Sequence, residues 1–275
     1  MLFHGPANFL PEEVLEKVLE YLNPEGIKNA LLVCKRWKKI LYQRKFWRWA
    51  TLEIKKDNCC IKEVFESDIF SLVDCIEISE LANDNLKAFI SIMATSESSR
   101  GKELALLGLT NIEVIRPDEL GIVVTRLSKF ILFYHEAHLD SIFSSIASST
   151  DLVLKSIHFD SILFSKDECN PELMGRAFCR LPEASFYNCA LPTDFLEELL
   201  TAMANCSDLT LKELWLPLGA LSYVSDQVIN EALSRFRIIM YDEPYCPSIP
   251  SDEDSMENDE DLNDDTDDEF VLPEA

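Results

Sequence analysis

The chain has 275 residues, a formal net charge of −24, nine cysteines and only seven glycines. That length holds one large domain or two modest ones, the charge repels a phosphate backbone and so excludes general nucleic-acid binding, and no apolar run approaches the ~18 residues of a membrane-spanning helix. The charge is also uneven: residues 1–56 carry 11 Lys/Arg against 6 Asp/Glu, whereas residues 238–275 carry 15 acids and no base. A mildly basic head, a mildly acidic body and a strongly acidic tail suggest three functional regions.

The opening residues, MLFHGPANFLPEEV, meet proline and two acids before a signal-peptide core could form, so the chain is expected to stay inside the cell, in cytoplasm or nucleus. The cysteines (Cys34, Cys59, Cys60, Cys75, Cys169, Cys179, Cys189, Cys206 and Cys246) are scattered without a CxxC pair. Most fall at apolar positions of amphipathic segments, where a free cysteine acts as a small hydrophobe, which argues against a disulfide framework or a zinc site.

Residues 11–22, PEEVLEKVLEYL, place Val14, Leu15, Val18, Leu19 and Leu22 at helical spacing behind Pro11 and two glutamates, which suit the first turn of a helix. Asn23-Pro24-Glu25-Gly26 breaks the chain, and residues 27–42 resume a helical pattern through Ile27, Ala30, Leu31, Cys34, Trp37 and Leu41. Phe46-Trp47-Arg48-Trp49 then adds three large aromatics, more than so small a unit needs to close itself.

Leu10-Pro11-Glu12-Glu13-Val14-Leu15, Val18-Leu19-Glu20-Tyr21-Leu22, Val33-Cys34-Lys35-Arg36-Trp37 and Trp47 resemble the F-box motif in type, order and spacing, over about residues 9–50. The resemblance implies a helical domain that binds a Skp-type adaptor, and through it a cullin-RING ubiquitin ligase. The positions matching the family's adaptor contacts are Leu10, Pro11, Leu15, Val18, Leu22, Val33, Cys34, Trp37 and Trp47.

Beyond residue 50 an LxxLxL pattern recurs at Leu104/Leu107/Leu109, Leu127/Phe130/Leu132, Leu154/Ile157/Phe159, Leu181/Ala184/Phe186, Leu211/Leu214/Leu216 and Phe236/Ile239/Tyr241, with weaker copies at Trp49/Leu52/Ile54 and Val73/Ile76/Ile78. Two kinds of helical segment alternate between the strands. The shorter run Pro117 to Leu127, Pro171 to Leu181 and Ser225 to Phe236; the longer run 86–96, 139–149 and 195–206. Such a period resembles leucine-rich repeats, and the alternation resembles ribonuclease-inhibitor-like solenoids. The resemblance departs at the turn after each strand, where Asn or Cys usually bonds backbone: Ile112, His135, Ile162, Cys189 and Gly219 stand there, and only Cys189 fits well.

The expected fold is therefore α/β: an N-terminal helical F-box at 1–50, a repeat solenoid at 51–245 with a curved parallel sheet inside and helices outside, and a disordered acidic tail at 246–275. Strand residues between the buried leucines face the inner surface, with Ile131, His158, Ser185 and Trp215 in one row and Phe133, Asp160, Tyr187 and Pro217 in the next. Ile131, Phe133, His158, Tyr187 and Trp215 are the candidate contacts for a protein target, since exposed aromatics in register make interface anchors.

No phosphate-cradling, nucleophile-elbow or zincin motif occurs, and no cofactor, catalytic residue or metal site is expected. His135 and His138 lie three apart across a turn, a poor ligand set, and Cys59-Cys60 has no neighbouring base of defined geometry. The tail could serve solubility, bind a basic partner, or take phosphate at Ser251, Ser255 or Thr266. The chain thus reads as a non-catalytic substrate receptor, with a repeat scaffold uncoupled from any ligase as the alternative.

Overall fold

The computed structural model describes residues 10–22, 24–47, 50–55, 61–79, 81–107, 115–133 and 139–241. The acidic segment, His135, His138, Cys59, Cys60, Trp49, Leu109 and Ile112 lie outside the described residues.

Among the described residues three short helices come first: α1 (Glu12–Leu19), α2 (Pro24–Ala30) and α3 (Lys35–Leu41), with a 3₁₀ turn at Arg44–Phe46. Residues 27–42, expected as one helix, are two. Hydrogen bonds from Leu32 N–H to the Asn29 carbonyl (3.1 Å) and from Val33 N–H to the Ala30 carbonyl (3.2 Å) tighten the end of α2. Cys34 is then fully extended before α3 starts. The break lets Ile27 and Ala30 on one side, and Ile40 and Leu41 on the other, fold around Leu15, Leu19, Phe46 and Trp47 in a single small core.

Eight strands follow: β1 (Thr51–Lys55), β2 (Cys75–Ser79), β3 (Glu103–Leu107), β4 (Lys129–Phe133), β5 (Ser156–Asp160), β6 (Glu183–Tyr187), β7 (Glu213–Pro217) and β8 (Arg237–Tyr241). They form one sheet in the order β1-β2-β3-β4-β5-β6-β7-β8, and every neighbouring pair is parallel. Parallel neighbours need a crossover, and repeating that crossover seven times without changing strand order yields an α/β solenoid. The crossovers carry α4 (Ile61–Glu66), α5 (Asp68–Leu72), α6 (Asn83–Thr95), α7 (Pro117–Arg126), α8 (Leu139–Ser148), α9 (Pro171–Phe178), α10 (Thr193–Ala204) and α11 (Asp226–Leu233).

Alternate strand residues build the solenoid core. Ile76/Ile78, Leu104/Leu106, Phe130/Leu132, Ile157/Phe159, Ala184/Phe186 and Leu214/Leu216 are all inaccessible to solvent and join one cluster with the inner faces of the helices. At its centre Phe159 packs against Phe143, Phe164, Phe178 and Phe186, with ring centroids 5.5–6.3 Å away.

Two helix contacts require glycine. A Cβ on Gly121 of α7 would lie 2.1 Å from the Ser145 hydroxyl of α8, and one on Gly175 of α9 would lie 2.7 Å from the Ala202 methyl of α10. Each glycine stands four residues after the proline that begins its helix, Pro117 and Pro171, so α7 and α9 approach the helix that follows them in the same way.

The pairing register corrects two of the expected repeat copies. Leu104 pairs with Phe130, and Leu106 with Leu132, so the third copy is built on Leu104/Leu106 rather than Leu107/Leu109. In the last copy Leu214 pairs with Ile238, and Leu216 with Met240, so Ile239 faces the opposite side from its expected place. After Glu103 and Arg237 the remaining residues of both strands are apolar, so each strand offers an apolar pair in either phase, and an odd-numbered slip exchanges the faces. The weaker early copies, Leu52/Ile54 and Ile76/Ile78, are in register.

The helical unit is not a separate bead. Its core continues into Leu52, Leu72 and Val73 of the first repeat, and Leu52 also packs on the solenoid cluster. The three helices thus cap the β1 end of the solenoid's core, as a terminal repeat must be capped.

Candidate functional site

Helix α1 is apolar on two sides. Leu15 and Leu19 are fully buried, while Val14, Val18 and Tyr21, at i, i+4 and i+7, are 44%, 47% and 91% exposed. The turn that divides α2 from α3 holds out Leu32 and Val33, 85% and 59% exposed. Among the described residues ten large hydrophobics are exposed, and these five fall within residues 14–33. So dense a group on so small a unit is the candidate partner-facing surface.

Polar contacts fix the helices that carry it. Arg36 donates to the Leu10 carbonyl, tying the start of α1 to α3. Near the other end Lys45 meets Glu16 at 2.7 Å and Glu20 at 3.2 Å, and the Gln43 amide donates to Glu16 at 3.0 Å. The hydrogen bond from Lys45, then that from Gln43, holds the Glu16 carboxyl below its ordinary range. The Trp47 indole donates to the Leu41 carbonyl at 2.5 Å.

The nine expected adaptor contacts divide by position. Pro11, Val18 and Val33 are exposed, and Leu10, Leu22, Cys34 and Trp37 are half-buried. Leu15 and Trp47 are corrected: at 0% and 7% exposure they belong to the unit's own core, where they support the surface from behind. Val14, Tyr21 and Leu32 are exposed alongside Val18 and Val33 and were not among the expected contacts. The first two were legible, since Val14, Val18 and Tyr21 form a second helical stripe beside Leu15, Leu19 and Leu22; Leu32 needed the unexpected turn.

The second candidate surface is the open face of the sheet, opposite the helices. The register aligns Ile131, His158, Ser185 and Trp215 in one row, as expected, and Phe133, Asp160 and Tyr187 in the next. Ile131, Phe133 and Trp215 are half-exposed, but His158 and Tyr187 are only 7% exposed. These two are corrected from free anchors to internal struts. His158 shares a hydrogen bond through Nδ1 with the Ser185 hydroxyl, and its ring stacks on Tyr187 at 6.1 Å. The Tyr187 ring packs in turn against Tyr241 at 5.0 Å, whose hydroxyl donates to the Phe186 carbonyl and accepts from Asn188 N–H at 3.0 Å.

Burial, then the Lys129 charge, pushes the His158 ring down to a pKa of about 3. It is neutral near neutral pH and too weak a base to take a proton from a substrate there. Asp160 is also occupied: it accepts from the Ser161 hydroxyl at 2.8 Å and the Asn188 amide at 3.2 Å. Cys189 does what its turn position suggested, with Sγ directed to the Tyr187 and Phe159 carbonyls at 3.2 and 3.5 Å, and burial pushes its thiol up to about 12. Among the described residues no group of three or more His, Cys, Asp or Glu could hold a metal ion, and no helix is long and apolar enough to cross a membrane.

Comparison with known proteins agrees with the N-terminal geometry: residues 7–53 match the F-box-like family. The chain therefore carries an F-box-like domain, which takes in the three helices and reaches into β1. No curated protein matches the chain.

Proposed function

We propose that the chain is the substrate-recognition subunit of a Skp-cullin-F-box ubiquitin ligase. The exposed apolar surface on the F-box-like domain carries this reading, because F-box domains generally bind Skp-type adaptors in cullin ligases and because Val14, Val18, Tyr21, Leu32 and Val33 remain 44–91% exposed in the unit that displays them. The leucine-rich-repeat character of the solenoid belongs to the same proposal, with its open face as the seat of a target protein.

The mechanism is proximity. A receptor that holds adaptor and target together raises the effective concentration of target lysines near a ubiquitin-charged conjugating enzyme. The chain supplies no covalent chemistry, needs no cofactor, and works inside the cell, in cytoplasm or nucleus. Continuity of the helical core with the first repeat through Leu52, Leu72 and Val73 supports a fixed geometry between the two surfaces.

Co-expression with a Skp-type adaptor tests the reading. A one-to-one complex by size-exclusion chromatography with light scattering is the expected result. A folded chain that forms none would favour the alternative, a repeat scaffold not coupled to a ligase.

A further inference from the structure

We propose that the last strand of the solenoid, β8, is the seat of a second copy of this chain: two copies join edge to edge, their β8 strands antiparallel about a two-fold axis through Ile239. The proposal goes beyond the receptor reading and does not depend on it.

The first observation is the end of the stack. Among the described residues the sheet stops at β8, and the three helices cap the opposite end. From β2 to β7 the two core-facing residues of every strand are inaccessible to solvent, but their counterparts in β8, Ile238 and Met240, are half-buried. The helix before them is open too: Val228 and Ile229 of α11 are half-buried, and Leu233 is 51% exposed. A repeat covers its apolar face only against a neighbour, and this end calls for one.

The backbone is the second. Arg237 N–H donates to the Lys212 carbonyl at 2.9 Å, and the Tyr241 carbonyl accepts from Leu218 N–H at 3.0 Å. Successive residues of a strand turn their N–H and C=O groups to opposite sides, so Ile238 and Met240 aim theirs away from β7, along the free edge. Edge strands are ordinarily guarded by charge, proline or a bulge. After Arg237, β8 offers Ile238-Ile239-Met240-Tyr241 in unbroken register, with none of these.

The third is that this edge complements itself. With Ile239 on the axis, Ile238 of one copy lies opposite Met240 of the other, and the outward backbone groups of both residues in both copies pair. On the core side each isoleucine meets a methionine; on the open side Ile239 meets its own equivalent, and Arg237 stands opposite Tyr241. Charge selects this orientation over a parallel one. Residues 242–275 hold 15 acids and no base, beginning with Asp242-Glu243. A parallel pair would start both acidic segments about 4.8 Å apart, whereas the antiparallel pair starts them at opposite ends, each next to the other copy's Arg237. That arginine also meets Glu213 at 3.2 Å, yet its side chain is 76% exposed. A strand of another protein could use the same backbone groups; the match of side chains and charge about one axis is what singles out a second copy.

Sedimentation velocity of the full chain across the micromolar range tests the proposal, alone and with a Skp-type adaptor; the measurement on the chain alone stands whether or not an adaptor binds. The expected result is a concentration-dependent dimer, kept as a two-to-two assembly when adaptor is bound. Ile239→Lys and Ile239→Glu, each checked for fold by circular dichroism and melting, should weaken the dimer about tenfold or more, because like charges then face one another across the axis, and mixing the two variants should restore it. Met240→Pro removes an N–H that faces outward and so spares the pairing with β7; it should be monomeric, and it serves if a charge at position 239 unfolds the chain. A monomer at the top of the range overturns the proposal, whether the edge is then covered by the chain's own later residues or by a different protein. A dimer that these variants leave intact, that adaptor binding dissolves, or that the mixture fails to restore also overturns it, by placing association elsewhere or in another register.

Discussion

The two halves of the molecule treat apolar side chains in opposite ways. In α1, neighbouring residues point their methyl groups inward and outward, Leu15 at 0% exposure beside Val14 at 44%, and Leu19 at 0% beside Val18 at 47%. Along the solenoid the helices and the core-facing strand positions close on one continuous interior, and the strands' other face alternates with polar groups. A repeat stack buries its apolar surface against its own neighbours; among the described residues the three-helix unit has no neighbour on its far side. The difference teaches where to look for the partner: apolar surface that folding leaves uncovered is surface that assembly can cover.

The largest expected effect lies in the self-sufficient half. Phe159→Ala removes a fully buried ring packed on four others, and urea denaturation should show a loss of about 3–5 kcal/mol; Val18→Ala, on the uncovered side of α1, should change stability by under about 0.5 kcal/mol. Comparable losses at the two positions would break the contrast.

Next is binding. Val18→Asp combined with Val33→Asp should weaken adaptor affinity by about 2 kcal/mol or more, as loss of interface anchors does, with little change in melting temperature. Leu15→Asp should also abolish binding, but by unfolding the helical unit, which circular dichroism would register.

The open face should reveal itself through pH. Because the folded His158 has its pKa depressed to about 3 while the unfolded residue titrates near the usual ~6.5, its contribution is present above pH 6.5 and is lost as pH falls toward 3. The slope is at most about 1.4 kcal/mol per pH unit. Stability curves of the natural chain and His158→Gln, measured from pH 7 to pH 4, should differ by that slope; parallel curves would mean that the ring takes up its proton in the folded state.

Smaller effects probe the helix layer. Gly175→Ala forces a methyl group against Ala202 at 2.7 Å and should destabilise by about 1–3 kcal/mol. Asn170→Ala removes a cap that accepts from Glu172 N–H and Leu173 N–H at 3.0 and 3.1 Å, for about 1 kcal/mol. Both are read from thermal or urea unfolding.

Periodicity made most of the solenoid legible, because apolar residues on opposite sides of Phe130, Ile157, Ala184 and Leu214 agree on one register. It failed where that agreement was missing: beyond their first residues, Glu103–Leu107 and Arg237–Tyr241 carry apolar side chains on both faces, and the reading followed those instead of the charged residue that opens each strand. The division of residues 27–42 was hidden for a related reason. The side chains on both sides of the break satisfy a helical period, and only their closure around Leu15 and Leu19 shows two helices. In the candidate sites, residue type singled out Val18, Val33 and Trp215, which the fold leaves exposed or half-exposed, but could not tell surface from support. Leu15, Trp47, His158 and Tyr187 look like contacts in the letters and are packing in the fold, since burial depends on neighbours distant in sequence.

Hydrogen–deuterium exchange of the full chain with and without a Skp-type adaptor tests the central claim most directly. Added protection confined to α1 and the turn at residues 31–34, with the open face of the sheet unchanged, is the predicted result. Protection on the sheet instead, or none anywhere, would contradict the assignment of separate surfaces to adaptor and target.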